Sequence, residues 1–519
     1  MRVGVLINDD VSVWERAALR QACVDHEVFL LQSRGWAPKR SVKHALYYAL
    51  NSITVRNRLT RRVPFPDDIK VADGVRFEPT YDGVWAILPG DLLDWVRAKQ
   101  IDVIVKFGLG LMRVPERDKL NIPVLSFHHG DPRRYRGRPA GFYEMLAGEP
   151  FMGQIVQAIG SKLDAGTVYA FTESRVVPHS YRKTLIESYR LSPHLLKTAL
   201  DNVALDRRLA FECNGRNYRL PSNSTALRFI AGRAVASMKR LVYGAVMEKN
   251  WRVATCQVAS DQPMSAIAEA EDRDWNVLRI ADGYTFYADP FFASGDDILV
   301  EAFNRRRGKG EIIRVRGDRH ERLDGFAGHV SYPAVVCDED RDLMVPETAS
   351  WSRLAAYEIN DRAASKAFEF AIDEAGIGDP TFFRHDGHWY LFGNAKGDGT
   401  SVLHLWHADD LRSKFSRHPA SPIRISARGS RMAGDIATWG GERYRLGQDW
   451  QRGYGDGILA FRIKKLSPTE YEEDFAGEAR FDRTNGPHTL NRRGNTLLFD
   501  FYAERFSPLA GIRRLLNKL

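Results

Sequence analysis

The sequence predicts a mixed α/β chain in three parts: an alternating strand–helix sheet, a helical connector and an all-β repeat array. Three observations predict it. Short apolar runs alternate with helical stretches over the first 180 residues. Helical, basic sequence fills 181–250. From about residue 275 one strand–turn–strand pattern returns five times. A length of 519 residues fits this division, since single cores stop growing at about 250–300 residues.

In the first part, residues 3–7 (VGVLI), 27–31 (EVFLL), 101–105 (IDVIV) and 124–127 (VLSF) read as strands. Residues 13–22 and 91–99 read as the helices between them. Buried parallel strands separated by helices make a Rossmann-like α/β domain, assigned here to residues 1–180. Ligands of such sheets sit at the carboxyl ends of the strands, so the residues after 124–127 are the first candidates for a site. In the connector, Pro193 is expected to split one helical stretch in two, and residues 226–249 form a further helix.

The repeats are YADPFFASGDDILVEAF, SYPAVVCDEDRDLMVPET, GDPTFFRHDGHWYLFGNA, MAGDIATWGGERYRLGQD and NGPHTLNRRGNTLLFDFY. Each opens on a small or acidic residue, usually with proline, and continues as two apolar strands around a polar turn. Five such units over 251–505 predict a five-bladed β-propeller, with a β-sandwich as the alternative. Residues 506–519 form a basic amphipathic tail, with Leu509, Ile512, Leu515, Leu516 and Leu519 roughly on one face. It fits a docked helix or a peripheral contact with an anionic membrane surface.

Composition narrows the function classes. Apolar residues make up 44% and charged residues 27%, as in an ordinary globular chain. The four cysteines form no C-x-x-C pair, which argues against a zinc site or a disulfide framework, and no metal is expected. With neither a signal-peptide pattern nor a transmembrane run in the sequence, a cytoplasmic location is expected. The net charge of +9 and pI near 9.2 suit an anionic substrate. Basic residues concentrate at Lys39, Arg40, Lys43, Arg56, Arg58, Arg61 and Arg62, and again over 131–138. No zinc-finger, RNA-recognition or helix-turn-helix pattern accompanies them, so nucleic acid is not an expected partner.

Residues 126–169 carry the most specific pattern. Ser126-Phe-His128 is followed by Arg136-Gly137 and by Leu163-Asp164-Ala165-Gly166. The stretch resembles the formyl-tetrahydrofolate-dependent formyltransferases, whose pattern is Asn-x-His, a basic stretch ending in Arg-Gly, and Leu-Asp-x-Gly. The resemblance implies formyl transfer from formyl-tetrahydrofolate to an amine, with His128 as the electrophilic partner and Asp164 as the carboxylate that orients it and takes a proton. Ser126 stands where the family has asparagine. Its hydroxyl offers one donor, and His129 and the Gly130 N–H are the candidates to complete the site, with Arg136 and Gly137 beside the substrate. A propeller in place of the small barrel of the tRNA enzymes implies an amino sugar, nucleotide-linked, as the acceptor in surface-glycan synthesis.

Asp289, Glu347 and Asp379 occupy corresponding or nearby places in successive repeats. A propeller gathers equivalent blade edges at its axis, so these carboxylates are the candidate substrate-binding residues of the second domain. His329, His404, His407, Arg431, Asp449 and His488 are expected near the same ends. The repeats resemble five-bladed glycoside hydrolases of the arabinanase and xylosidase type. They look closer still to the N-terminal module of glucosamine inositolphosphorylceramide transferases. The alternative reading is thus a carbohydrate-active or glycan-binding propeller joined to a degenerate formyltransferase-like domain.

Overall fold

A computed structural model describes residues 1–33, 41–54, 56–112, 118–338, 341–347, 353–451 and 453–516. Lys39, Arg40 and Leu519 lie outside the described residues, as does the side chain of Leu516. The chain divides into two units, Met1–Lys239 and Arg240–Leu519.

The first unit is built on one seven-stranded sheet. Its strands are β1 (Arg2–Ile7), β2 (Glu27–Ser33), β3 (Val71–Phe77), β4 (Val103–Lys106), β5 (Val124–His128), β6 (Phe151–Ala158) and β7 (Thr167–Arg175). Their spatial order is β7-β6-β5-β4-β1-β2-β3. The five strands from β5 to β3 run parallel, whereas β6 and β7 add antiparallel. Alternation along β1 decides which face each residue serves. Val3, Val5 and Ile7 pack with Ala18 and Leu19 of helix Val13–Ala22, and with Leu195 and Leu196 of helix Tyr181–Ala204. Leu6 points the other way, to Leu92 and Val96 of helix Gly90–Ala98. Helix Val13–Ala22 begins where it does because Ser12 and Glu15 cap each other's backbone N–H groups.

Pro193 does not split its helix. Residues Tyr181–Ala204 form one helix with the proline inside it. Burial of Leu185, Leu191, Leu195, Leu196 and Leu200 holds the helix on the sheet and outweighs a proline cost of about 3 kcal/mol.

In the second unit five antiparallel sheets follow one another. The first four are opened by strands Tyr284–Phe292, Ala334–Asp338, Ile377–His385 and Ala437–Trp439. The fifth joins the two ends of the unit: Met247–Gln257 pairs with Thr496–Phe506, beside Leu490–Arg493. The residue before the proline of each repeat, or before Asp435 in the fourth, has a positive φ in all five: Asp289 (45°), Tyr332 (45°), Asp379 (47°), Gly434 (115°) and Gly486 (128°). At Asp289 and Asp379 this left-handed residue sits in a break of the strand register, a bulge that turns the aspartate off the ladder. Residues near the starts of the sheets are tied to each other across them. Thr489 donates to Asp289 at 2.7 Å, Asn491 to the Pro290 carbonyl at 2.7 Å, and Gln448 to Asp379 at 3.3 Å. The Tyr332 hydroxyl meets Thr381 at 2.9 Å and accepts from the Gly434 N–H at 3.0 Å.

The tail forms helix Ala510–Leu516, with Leu509, Ile512 and Leu515 exposed. Ala510 is buried, and Arg513 ties the helix to Glu248. Among the described residues no helix is long and apolar enough to cross a membrane.

Candidate functional site

The first site lies at the carboxyl ends of β4 and β5. Ser126 of β5 stands level with Lys106 of β4, and both line a cavity of about 330 Å³ with Asp164 and Gln157. Trp85, Leu111, Met112 and Ile159 make its apolar wall. Asp164 sits on a left-handed residue (φ 51°) just before β7, which aims its carboxylate back across β6. There it accepts from the Gly137 N–H at 2.8 Å and from Gln157 at 3.4 Å.

His128 is buried behind Asp164, with Nδ1 3.3 Å from Asp164 Oδ2. Its Nε2 is 2.9 Å from the Tyr135 carbonyl. A carbonyl only accepts, so Nε2–H is the donor there. The ring's Nδ1 edge faces the Asp164 carboxylate. His128 thus lies one residue deep from the cavity, behind Asp164.

Lys106 is the cavity residue that sequence reasoning missed. Burial pushes its ammonium down to about 8, and the charge of Asp164 only partly opposes this. A lysine closing an apolar strand was the available signal, because a cation at that place in a parallel sheet lacks water on most sides.

Other expected residues fall elsewhere. His129 does not line the cavity. It stacks on Phe127 (5.8 Å between centroids), meets Trp14 and Tyr189 edge-on, and lies 3.3 Å from the Ser192 hydroxyl. Burial, reinforced by His128, lowers its pKa to about 3 and keeps it neutral. Arg136 spans to the carbonyls of Gly215 (2.7 Å) and Leu163 (3.3 Å), outside the cavity wall. Gly130 lies against the His128 ring, where a Cβ would come within 2.6 Å of Nε2. Gly137 (φ 86°) leaves no room for a side chain, since a Cβ would lie 2.0 Å from the Tyr218 carbonyl. These glycines position the His–Asp pair.

The second site is a cavity of about 260 Å³ in the second unit, lined by Asp289, Glu301, Glu347, His329, Arg431 and His488, with Trp251, Phe286 and Tyr454. Asp289 and Glu347 thus share one cavity. Asp379 does not line it: it is fully buried, paired with Arg431 and bonded by Gln448. Arg431 also reaches Glu347 at 3.4 Å, so Asp379 acts on the cavity through this guanidinium. Of the remaining expected residues, His329, Arg431 and His488 are at the cavity. His404 is buried against Asp398 and Ser421, and Asp449 pairs with Arg428 and Arg480. His407 packs beside His418.

The carboxyls of this cavity are driven apart in charge. Burial alone would raise Asp289; the His488 imidazolium 3.2 Å away and the Thr489 hydroxyl outweigh it and hold the carboxyl below its usual range. Glu347 is pushed up to about 8 by burial and by the neighbouring Asp379 charge, against Arg431. Glu301 is raised by burial and by Asp289 and Glu347. His488 stays charged although burial opposes it, because Tyr454, Asp500 and Asp289 surround it. Asp289, His488 and Asp500 present ligand atoms within 4.8 Å of one another, the one grouping with cation spacing among the described residues.

Residues 322–486 match the family model described as glucosamine inositolphosphorylceramide transferase 1, N-terminal. Glucosamine inositolphosphorylceramide transferase 1 of Arabidopsis thaliana is 30% identical over 206 residues, and that of Oryza sativa subsp. japonica 28% over 204 residues. Each match covers 36% of this chain and 27% of the relative, so the chain spans about a quarter of the length of these relatives. Among solved structures, a sugar N-formyltransferase from Shewanella sp FDAARGOS_354 aligns at TM-score 0.29 and 10% identity, over 45% of this chain and 87% of that one. A phosphoribosylglycinamide formyltransferase from Anaplasma phagocytophilum aligns at TM-score 0.28 and 15% identity, over 40% of this chain and 88% of that one. An N-formyltransferase from Helicobacter canadensis, in complex with folinic acid and dTDP-3-aminofucose, aligns at TM-score 0.28 and 12% identity, over 44% and 80%.

Proposed function

We propose that the first unit transfers a formyl group from formyl-tetrahydrofolate to the amine of an amino sugar, and that the second is a five-bladed propeller that engages carbohydrate. The observation that carries the first half is Asp164, backed by the buried His128, on a cavity that also presents Lys106 and Ser126. Trp85, Leu111, Met112 and Ile159 fit a flat aromatic donor. When bound, that donor supplies the formyl carbon. Asp164 accepts the proton the attacking amine sheds, and that proton passes to the donor's departing nitrogen as its bond to the formyl carbon breaks. Lys106 and the Ser126 hydroxyl donate to the oxygen that gains negative charge, with the lysine as the stronger donor in place of the family's asparagine amide.

The test is tetrahydrofolate release with formyl-tetrahydrofolate and a panel of nucleotide-linked amino sugars. Amine-dependent turnover that disappears in Asp164→Asn and His128→Gln is the expected result. Absence of turnover across the panel, with no folate binding, sinks this half.

The propeller reading is supported by the positive φ that recurs in all five repeats and by the hydrogen bonds that link one repeat to another. The family match over residues 322–486 supports a carbohydrate-related role. A second activity is favoured by one specific observation: Asp289 is held ionised and Glu347 protonated across one cavity. That division suits a base or nucleophile facing a general acid at a glycosidic bond. Release of p-nitrophenol from aryl glycosides, lost in Glu347→Gln, tests it; a propeller that binds glycans without cleaving any of them leaves only the binding role.

A further inference from the structure

A second cavity of the second unit, of about 530 Å³, adjoins the carboxylate cavity: Trp251 and Phe286 belong to the walls of both. Its remaining walls are strongly basic. Lys249, Arg305, Arg505, Arg513 and Arg514 face a single carboxylate, Glu248. Three of these cations have partners in the fold. Arg513 donates to Glu248 at 3.1 Å and to Ser507 at 3.0 Å. Arg514 donates to the Met247 carbonyl at 2.7 Å, just past the end of helix Asn223–Val246. Lys249 donates to the Tyr454 carbonyl at 2.7 Å. Arg305 and Arg505 are exposed and enter no ion pair among the described residues.

Two uncompensated guanidiniums at the mouth of an aromatic-walled cavity recognise an anion with several acceptor oxygens. A phosphoryl group is that anion: it carries about −1.5 to −2 charges and three acceptor oxygens. Trp251 and Phe286 form the aromatic wall that the two cavities share, and Phe286 is itself stacked on Phe303 at 5.5 Å. We propose that the second unit binds a sugar phosphate ester, with its ring among Asp289, Glu301 and Glu347 and its phosphoryl group beside Arg305 and Arg505. The proposal rests on the reading of the carboxylate cavity as a sugar site.

Calorimetry on the full chain tests it, with a panel of hexose 1-phosphates, the free hexoses and inorganic phosphate. One hexose 1-phosphate binds about tenfold tighter or more than its free hexose and than phosphate, because charge-assisted hydrogen bonds are added. Arg305→Ala with Arg505→Ala removes that gain and leaves the free hexose unchanged. Both side chains are exposed, so folding is preserved, and the thermal midpoint checks it. Equal affinity for ester and free sugar, or a gain that survives the double variant, overturns the proposal. Failure of the sugar site itself reads differently: every ester binds only as tightly as inorganic phosphate, no hexose binds, and Asp289→Asn changes nothing. Co-sedimentation with phosphatidylcholine vesicles doped with phosphatidylglycerol separates a lipid-borne phosphoryl group from a soluble one. Vesicle binding that needs both arginines, without any hexose 1-phosphate binding, also overturns the sugar ester.

Discussion

The two cavities are assembled over very different lengths of chain. In the first unit, Gly137 reaches Asp164 across 27 residues, and the polar atoms around the His–Asp pair come from β5, β6 and the short strand Tyr135–Gly137. In the second unit, the Asp289 N–H reaches Asp500 across 211 residues, and its carboxylate is bonded by Thr489 across 200. The first site is thus held by local backbone geometry, with glycines where a Cβ has no room. The second exists only when the last sheet of the unit is in place. The difference also shows in charge. The first cavity has one cation of lowered affinity for its proton, whereas the second has buried carboxyls and guanidinium locked together.

Substitutions sharpen this contrast. The largest effect is expected from Asp164→Asn, which should lower formyl transfer about 10²–10⁴-fold, by loss of the proton acceptor. Hexose binding by the second unit should not change, and steady-state assays beside calorimetry check both. If the two cavities form one catalytic machine, both will fall together.

Arg431→Met leaves Asp379 buried without its guanidinium, a loss of about 3–5 kcal/mol confined to the second unit. Denaturant titration followed by tryptophan fluorescence should show the second unit unfolding earlier. A loss below about 1 kcal/mol would place Asp379 in water and break the reading of a locked core.

Lys106→Met should cost about 2.7–4 kcal/mol of transition-state stabilisation if the ammonium is the oxyanion donor. The pH profile separates this role from packing. The ammonium is the form present below a pKa of about 8, so the wild-type rate falls as pH rises through 8. The methionine variant should lack that limb.

The smallest effect concerns a carboxyl of the first unit with no part in the site. Burial raises Glu144 to about 8 from an ordinary value of 4.5. A group raised in this way stabilises fully below pH 4.5, and that contribution is lost as pH rises through about 8. Glu144→Gln should therefore flatten the decline between those limits and leave the protein about 1–3 kcal/mol more stable above it. Thermal unfolding at both ends of the window measures it.

Much of the first unit was legible in the sequence because its signals are local. The strands at 3–7, 27–31 and 124–127 and the helix at 13–22 lie where apolar periodicity put them, with shifts of a residue or two at their ends. The Ser126–His128 and Asp164 pattern likewise comes together as one cluster. Two features escaped. Lys106 reads as an ordinary strand-end lysine until the sheet sets it level with Ser126. His129 reads as a candidate to complete the site beside Ser126, but just past the end of β5 it joins the Trp14 and Tyr189 aromatic cluster instead.

In the second unit the repeat was visible, and with it the aspartates at 289 and 379. Their backbone equivalence holds, with φ of 45° and 47°. Their chemical roles differ because each is decided by what another sheet brings: His488 beside Asp289, Arg431 over Asp379. By itself the sequence determined the elements, their order and the residue types able to do acid–base work, since periodicity and turn chemistry act over a few residues. Only the tertiary structure decided which carboxyl is ionised, which is protonated and which is buried under a guanidinium. Burial and charge act through space, on residues the chain brings together from 200 positions away.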